Sequence, residues 1–206
     1  MRAGEISVES DDTTQPIQNP GLEELQAAVT LNNVQLLELS SNDGNNWFNI
    51  DKFMEKIMQY NRAGVESIQM DDYERALVYL QEAEKILEYA ASCGKTIDRF
   101  LIASTLHNEA CVYQKLWELD KSSDYMEAIL YNMSTYMDSA TPVEINHNLK
   151  NPNSESYQTL SAFIYRRLST AVYHLQYSAV NSQIGRHEVA IDSSRKSLQL
   201  LSQILS

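Results

Sequence analysis

Cysteine, proline and glycine are all scarce in this chain, at two, four and six of 206 residues. Cys93 and Cys111 form no C-x-x-C pair and have no histidine cluster near them in sequence, so two free thiols in a reducing compartment are expected. The prolines are Pro16, Pro20, Pro142 and Pro152, with none between Pro20 and Pro142. A proline inside a helix removes a donor and clashes with the preceding turn. Non-helical stretches are therefore expected near 1–20 and near 139–156. No apolar run approaches the roughly 18 residues needed to span a bilayer. No apolar stretch follows a basic region at the N-terminus, as a secretory signal would require. A soluble, cytoplasmic protein is the expectation. Sustained strand alternation is missing too, as are a glycine-rich phosphate loop, H-E-x-x-H and G-x-S-x-G.

Positive charge is in short supply. There are 28 acids against 16 bases, a formal net charge of −12. Such a surface disfavours unspecific binding to nucleic acid or anionic membrane. Residues 1–50 carry eight acids and one base, whereas residues 161–206 carry two acids and five bases. Arg166, Arg167, Arg186, Arg195 and Lys196 could meet an acidic partner, although a solvated helix face accounts for them as well.

The chain does contain apolar residues in helical register, and 43% of it is hydrophobic. Residues 1–20 are polar and cannot offset the entropy of ordering. Residues 21–40 are expected to hold a short helix with Leu22, Leu25 and Val29 on one face, and Val34, Leu36, Leu37 and Leu39 after it suit a helix or a strand. Ser40 to Asn46 reads as a polar loop. From an N-cap at Asn49, the residues Ile50, Phe53, Met54, Ile57, Met58, Tyr60 and Ala63 mark an amphipathic helix to about Met70. Asp71 is expected to cap the next helix, with Glu74 completing a capping box. That helix ends near Ala91. Further helices are expected over about 97–116, 121–137, 157–183 and 186–205. Two parts follow: an acidic, largely non-globular arm over 1–48, and a helical domain over 49–206 with an inserted loop at 138–156.

Gly64 is followed by Ala76, Leu80 and Ala83. Small residues there allow two antiparallel helices to approach closely, with Leu80 filling the space beside them. Ala110, Tyr113 and Ser122, followed by Met126 and Ile129, repeat the arrangement. Ser178 and Ala190, followed by Ser194 and Ser197, repeat it again. These three units resemble the tetratricopeptide-repeat family in an extended-helix form. The resemblance covers residues 52–205. Asp71 and Trp117 stand where the family has its turn glycine, which Gly185 retains. Leu80, Met126 and Ser194 replace its aromatic residue, and Ser194 is too small to fill the same space. Ala76 to Ser122 is 46 residues and Ser122 to Ala190 is 68, against a family period of about 34. Longer helices and the inserted loop explain the excess.

The resemblance implies an all-α, right-handed solenoid of about three helix hairpins. It also implies a concave groove lined by Asn61, Val65, Ile68, His107, Cys111, Gln114, Leu175, Ala179 and Ser182. One subgroup grips the acidic tails of heat-shock chaperones with a lysine- and asparagine-based clamp. The matching positions here are Asn61, Val65, Asn108, Val172 and Gln176, and Asn108 alone fits, so such binding is expected to be absent. A three-unit stack leaves its ends open. Leu198, Leu200, Leu201 and Leu205 could remain exposed unless residues 21–40, a second copy or a partner covers them.

His107 and Cys111 lie one turn apart, but a metal site needs more ligands. A packed or groove-lining pair is the better reading, and neither a metal nor a cofactor is expected. Asp71 and Asp72 are explained by capping. Several of the twelve tyrosines, Tyr60, Tyr73 and Tyr113 among them, fall at packing positions. The expectation is a non-catalytic scaffold or adaptor that binds a partner helix or peptide in the groove, with the acidic arm as a second contact. A structural subunit of a large cytoskeletal or ciliary assembly is an alternative, and the regulatory domain of an enzyme another. The partner's identity is not written in these residues.

Overall fold

The computed structural model describes residues 21–27, 29, 50–137 and 155–205. The expected cap at Asn49, the 1–20 arm, the 34–46 segment, all four prolines and nearly all of the inserted loop lie outside these residues. Every element among the described residues is helical. Helix α1 covers residues 21–27, and Val29 is helical as well. Then come α2 (Ile50–Gln69), α3 (Tyr73–Ser92), α4 (Arg99–Lys115), α5 (Leu119–Met137), α6 (Glu155–Ile184) and α7 (His187–Leu205). Helix α6 begins two residues before the sequence pattern places it. No helix among the described residues is long and apolar enough to cross a membrane.

The turns explain where the helices stop. Asp71 (φ 58°), Gly94 (φ 68°), Trp117 (φ 62°) and Gly185 (φ 89°) all adopt the left-handed conformation. Each closes its helix with the same paired backbone bonds. In the first turn, Asp71 N–H reaches the Ile68 carbonyl (3.1 Å) and Asp72 N–H reaches that of Ser67 (3.0 Å). Trp117 and Glu118 do the same to Gln114 (3.2 Å) and Tyr113 (2.9 Å), and Gly185 and Arg186 to Ser182 (3.2 Å) and Asn181 (2.8 Å). This pairing satisfies carbonyls that a helix end would otherwise leave open. The cap of α3 needs correcting by one residue. Asp72, not Asp71, is the N-cap, and its carboxylate accepts from Arg75 N–H at 3.1 Å. Asp71 is occupied in the turn, where it accepts from the Tyr73 hydroxyl at 2.5 Å. Glu74 is then one residue short of the capping-box position.

Each helix from α2 to α7 packs on the next, and α2 also packs on α4. Within α2–α3, Gly64, Ala76, Leu80 and Ala83 are buried. Within α4–α5, Ala110, Tyr113, Ser122, Met126 and Ile129 are buried, and Ser122 Oγ donates to the Ala110 carbonyl at 2.8 Å. The α6–α7 pair is held differently. Ser178 Oγ donates to the Ala190 carbonyl and Ser197 Oγ to that of Ala171, both at 2.8 Å. Ser193 Oγ donates to the His174 carbonyl at 2.9 Å, and Ser194 Oγ lies 2.7 Å from Ser178 Oγ. Ser194 therefore does not fill an aromatic's space. Small hydroxyl residues let the backbones approach, and hydrogen bonds replace apolar bulk.

The apolar core is divided into clusters. Val29, Phe53, Ile57, Tyr60, Ala83, Ile86 and Leu87 belong to one, and Leu25 packs against it. Residues 25 and 29 thus lie on α2 and α3, not on the far end at α7. There Leu198 and Leu205 are exposed, while Leu200 and Leu201 are half-buried.

Candidate functional site

Helices α2, α4 and α6 are the first members of the three hairpins, and they carry all nine expected groove residues. Their faces are not equivalent. On α2, Asn61 is buried and serves the fold. Its Nδ2 donates to Thr105 Oγ1 at 2.7 Å, and its Oδ1 accepts from Asn108 Nδ2 at 2.9 Å. This bridge ties α2 to α4 and leaves Asn61 little to offer a partner. Val65 and Ile68 are half-buried, and Ile68 packs beside Ala76, Leu80 and Val112.

On α4, His107, Cys111 and Gln114 are half-buried and reach α6. His107 Nε2 meets Gln176 Oε1 at 2.5 Å, and Gln176 Nε2 donates to Cys111 Sγ at 3.1 Å. Gln114 Nε2 donates to Gln183 Oε1 at 3.2 Å. The Tyr173 ring lies 5.3 Å from the His107 ring, and the Tyr165 ring 5.2 Å from that of Phe100. A line of polar and aromatic contacts therefore joins the two helices.

On α6, Leu175, Ala179 and Ser182 are exposed, and Leu175 continues a row that the sequence pattern did not single out. Tyr165, Leu168, Val172 and Leu175 recur at alternating intervals of three and four, which places them along one side of a helix. Their exposures are 60%, 46%, 46% and 48%. Side chains of this size are more usually covered. Met58 on α2 is exposed as well. Among the clamp positions, Asn61 and Asn108 bond to each other, Gln176 is held by His107 and Cys111, and Val172 is an exposed apolar residue.

Two further features were not singled out in the sequence. Glu109 is fully buried between the helices, and neither carboxylate oxygen has a well-aligned donor. The nearby Tyr125 hydroxyl is aligned with Glu84 Oε2, at 3.4 Å. Burial pushes the Glu109 carboxyl up to about 7; Tyr125 pulls it down in part, and Glu84 and Glu88 add repulsion. Burial also raises Tyr125 far above the ordinary phenol range. The second feature is a cleft of about 460 Å³ lined by α5, α6 and α7, with His174 and Lys196 in its wall. Lys196 is ion-paired with Asp192 at 2.8 Å, and His174 Nδ1 lies 2.9 Å from Ser193 Oγ. Burial, and then Lys196, hold His174 below its usual range. Lys196 and Asp192, and His174 and Ser193, are thus engaged with each other in pairs.

Among the described residues, no group of three or more His, Cys, Asp or Glu side chains could hold a metal ion. Comparison with protein-family models, with curated proteins and with solved structures found no match.

Proposed function

We propose that residues 50–205 form a short right-handed solenoid of the tetratricopeptide type, and that its concave face holds a helix or extended peptide of a protein partner. The chain acts in this reading as a scaffold or adaptor, with no chemistry on the partner. Three hairpins closed by the same left-handed turn support the fold, as does the reach of α2 past α3 to α4. Stacked hairpins require such a second contact. The observation that carries the function is the exposed row Tyr165, Leu168, Val172 and Leu175 on α6. An apolar row rimmed by polar side chains suits a helix-in-groove or extended-peptide contact.

The test compares the wild-type chain with a Val172→Glu/Leu175→Glu variant as baits in the native cell, with quantitative mass spectrometry. Partners that use the groove drop at least about tenfold with the variant, since two buried charges each oppose docking. An unchanged partner set rejects the groove.

A second reading is a subunit built into a larger assembly. Ile191, Leu198 and Leu205, seven residues apart on α7, are all exposed. Seven residues are two turns, so these side chains share a face. A purified chain that stays aggregated until a partner is co-expressed favours this reading; a monodisperse monomer favours the adaptor.

A further inference from the structure

Cys111 sits in the contact between α4 and α6, and its surroundings are more specific than groove lining requires. Its sulfur accepts from Gln176 Nε2 at 3.1 Å and lies 3.9 Å from His107 Nε2. Gln176 Oε1 in turn lies 2.5 Å from that same His107 nitrogen. These contacts fix a polarity. An amide oxygen accepts only, so His107 Nε2 must carry the hydrogen that it donates. The amide then presents its N–H to the sulfur. With the Gln176 N–H donating to the sulfur and the His107 ring beside it, the arrangement favours a thiolate over a thiol.

Among the described residues, the charged and titratable groups facing the pair are Lys115 on α4 and Tyr173 on α6. Burial alone pushes the Cys111 thiol up, but His107, then Gln176 and Lys115, outweigh it and hold it below the usual thiol range. For His107, burial pushes down, while Cys111 and Gln176 outweigh it and hold the imidazole above its usual range. Each charge favours the other. Cys111 is half-buried, not enclosed in the core.

We propose that Cys111 is an oxidant-responsive thiol that reacts with hydroperoxides under the direction of His107 and Gln176. The thiolate attacks one peroxide oxygen; the S–O bond forms as the O–O bond breaks. The departing oxygen leaves as hydroxide or alkoxide and takes a proton from the His107 imidazolium. Sulfur loses two electrons and the peroxide gains them, leaving a sulfenic acid. A small thiol such as glutathione then displaces water from that sulfur and leaves a mixed disulfide. The adduct would lie between α4 and α6. The inference does not depend on the groove reading, because the thiol chemistry needs no protein partner.

The experiment uses the full chain carrying Cys93→Ser, with free glutathione as reference in the same tube. Iodoacetamide alkylation is followed by mass spectrometry over about pH 5.5 to 9.5. Cys111 is expected to alkylate with a midpoint below that of glutathione. Equimolar hydrogen peroxide followed by dimedone is expected to tag Cys111. His107→Gln and Gln176→Leu should each raise the midpoint and slow the peroxide reaction near neutral pH by about tenfold. A Cys111 midpoint at or above that of glutathione overturns the proposal. So does a folded variant whose midpoint does not move, or glutathione oxidation without any dimedone tag. If a variant fails to fold, the comparison of midpoints in the Cys93→Ser chain decides alone.

Discussion

Gly64 and Leu80 meet so closely that a Cβ on residue 64 would lie 2.7 Å from both Cγ and Cδ2 of Leu80. Leu80 is fully buried and is among the largest enclosed side chains, so it has little freedom to move aside. Gly64→Ala should therefore destabilise the chain by about 1–3 kcal/mol, despite a helix-propensity gain near 1 kcal/mol. Leu80→Val should recover part of that loss in the double variant, although it is destabilising by itself. A double-mutant cycle from urea midpoints measures the coupling. Strict additivity would mean that the two residues do not limit how close α2 and α3 come.

Trp117 makes the opposite case. It is bulky, left-handed at φ 62° and 77% exposed. The left-handed conformation costs a side-chain-bearing residue roughly 1–2 kcal/mol. Trp117→Gly is expected to raise stability by about 1 kcal/mol, seen as a higher urea midpoint. Asp71→Gly should gain less, because it removes the acceptor of the Tyr73 hydroxyl. A drop in stability with Trp117→Gly would show that the indole ring supports the turn.

Glu109 should make stability depend on pH. Its carboxyl has an ordinary value of 4.5 and is raised to about 7 in the folded chain. Below 4.5 both states hold the proton. Between 4.5 and about 7 the folded state alone holds it, so this group's contribution falls as pH rises through that window. The loss is on the order of 3 kcal/mol in total and levels off above it. Glu109→Gln removes that slope. Its urea stability relative to wild type should improve by about 2–3 kcal/mol between pH 5 and pH 8. A difference that stays constant with pH would mean that Glu109 titrates normally.

The exposed row on α6 predicts separable effects. Val172→Glu and Leu175→Glu bury nothing new in the free chain, so thermal unfolding should shift by no more than about 0.5 kcal/mol equivalent. Loss of partners without loss of stability is the expected pattern. A large fall in melting temperature would show that these side chains support the fold.

Much of the hairpin geometry was legible in the sequence, because it depends on local spacing. Gly64 and Ala76, Ala110 and Ser122, and Ser178 and Ala190 could be paired by a constant interval, and Asp71 and Trp117 could be placed at turn positions. The one-residue error at the α3 cap arose because Asp71 and Asp72 are both good caps; backbone conformation alone separates them. The serine contacts of α6 and α7 were not legible. Serine carries little apolar area, and its value at a close crossing depends on which carbonyl it meets. Glu109 read as one more acid on a helix until packing closed around it. Cys111 and His107 were visible as a pair one turn apart. Gln176, 65 residues from Cys111, enters only when α6 docks. The row from Tyr165 to Leu175 has the spacing of a core face, and only the fold shows that it stays about half exposed among the described residues.

The most direct test of the interaction reading is site-specific photo-crosslinking in the native cell. A photoreactive residue is placed at Leu175 on the exposed row, and as a control at Ala128, which is exposed on α5. The account predicts a discrete protein adduct from position 175, lost when Val172→Glu is added, and none from position 128. Equal adducts from both positions, or an adduct from position 128 alone, would contradict it.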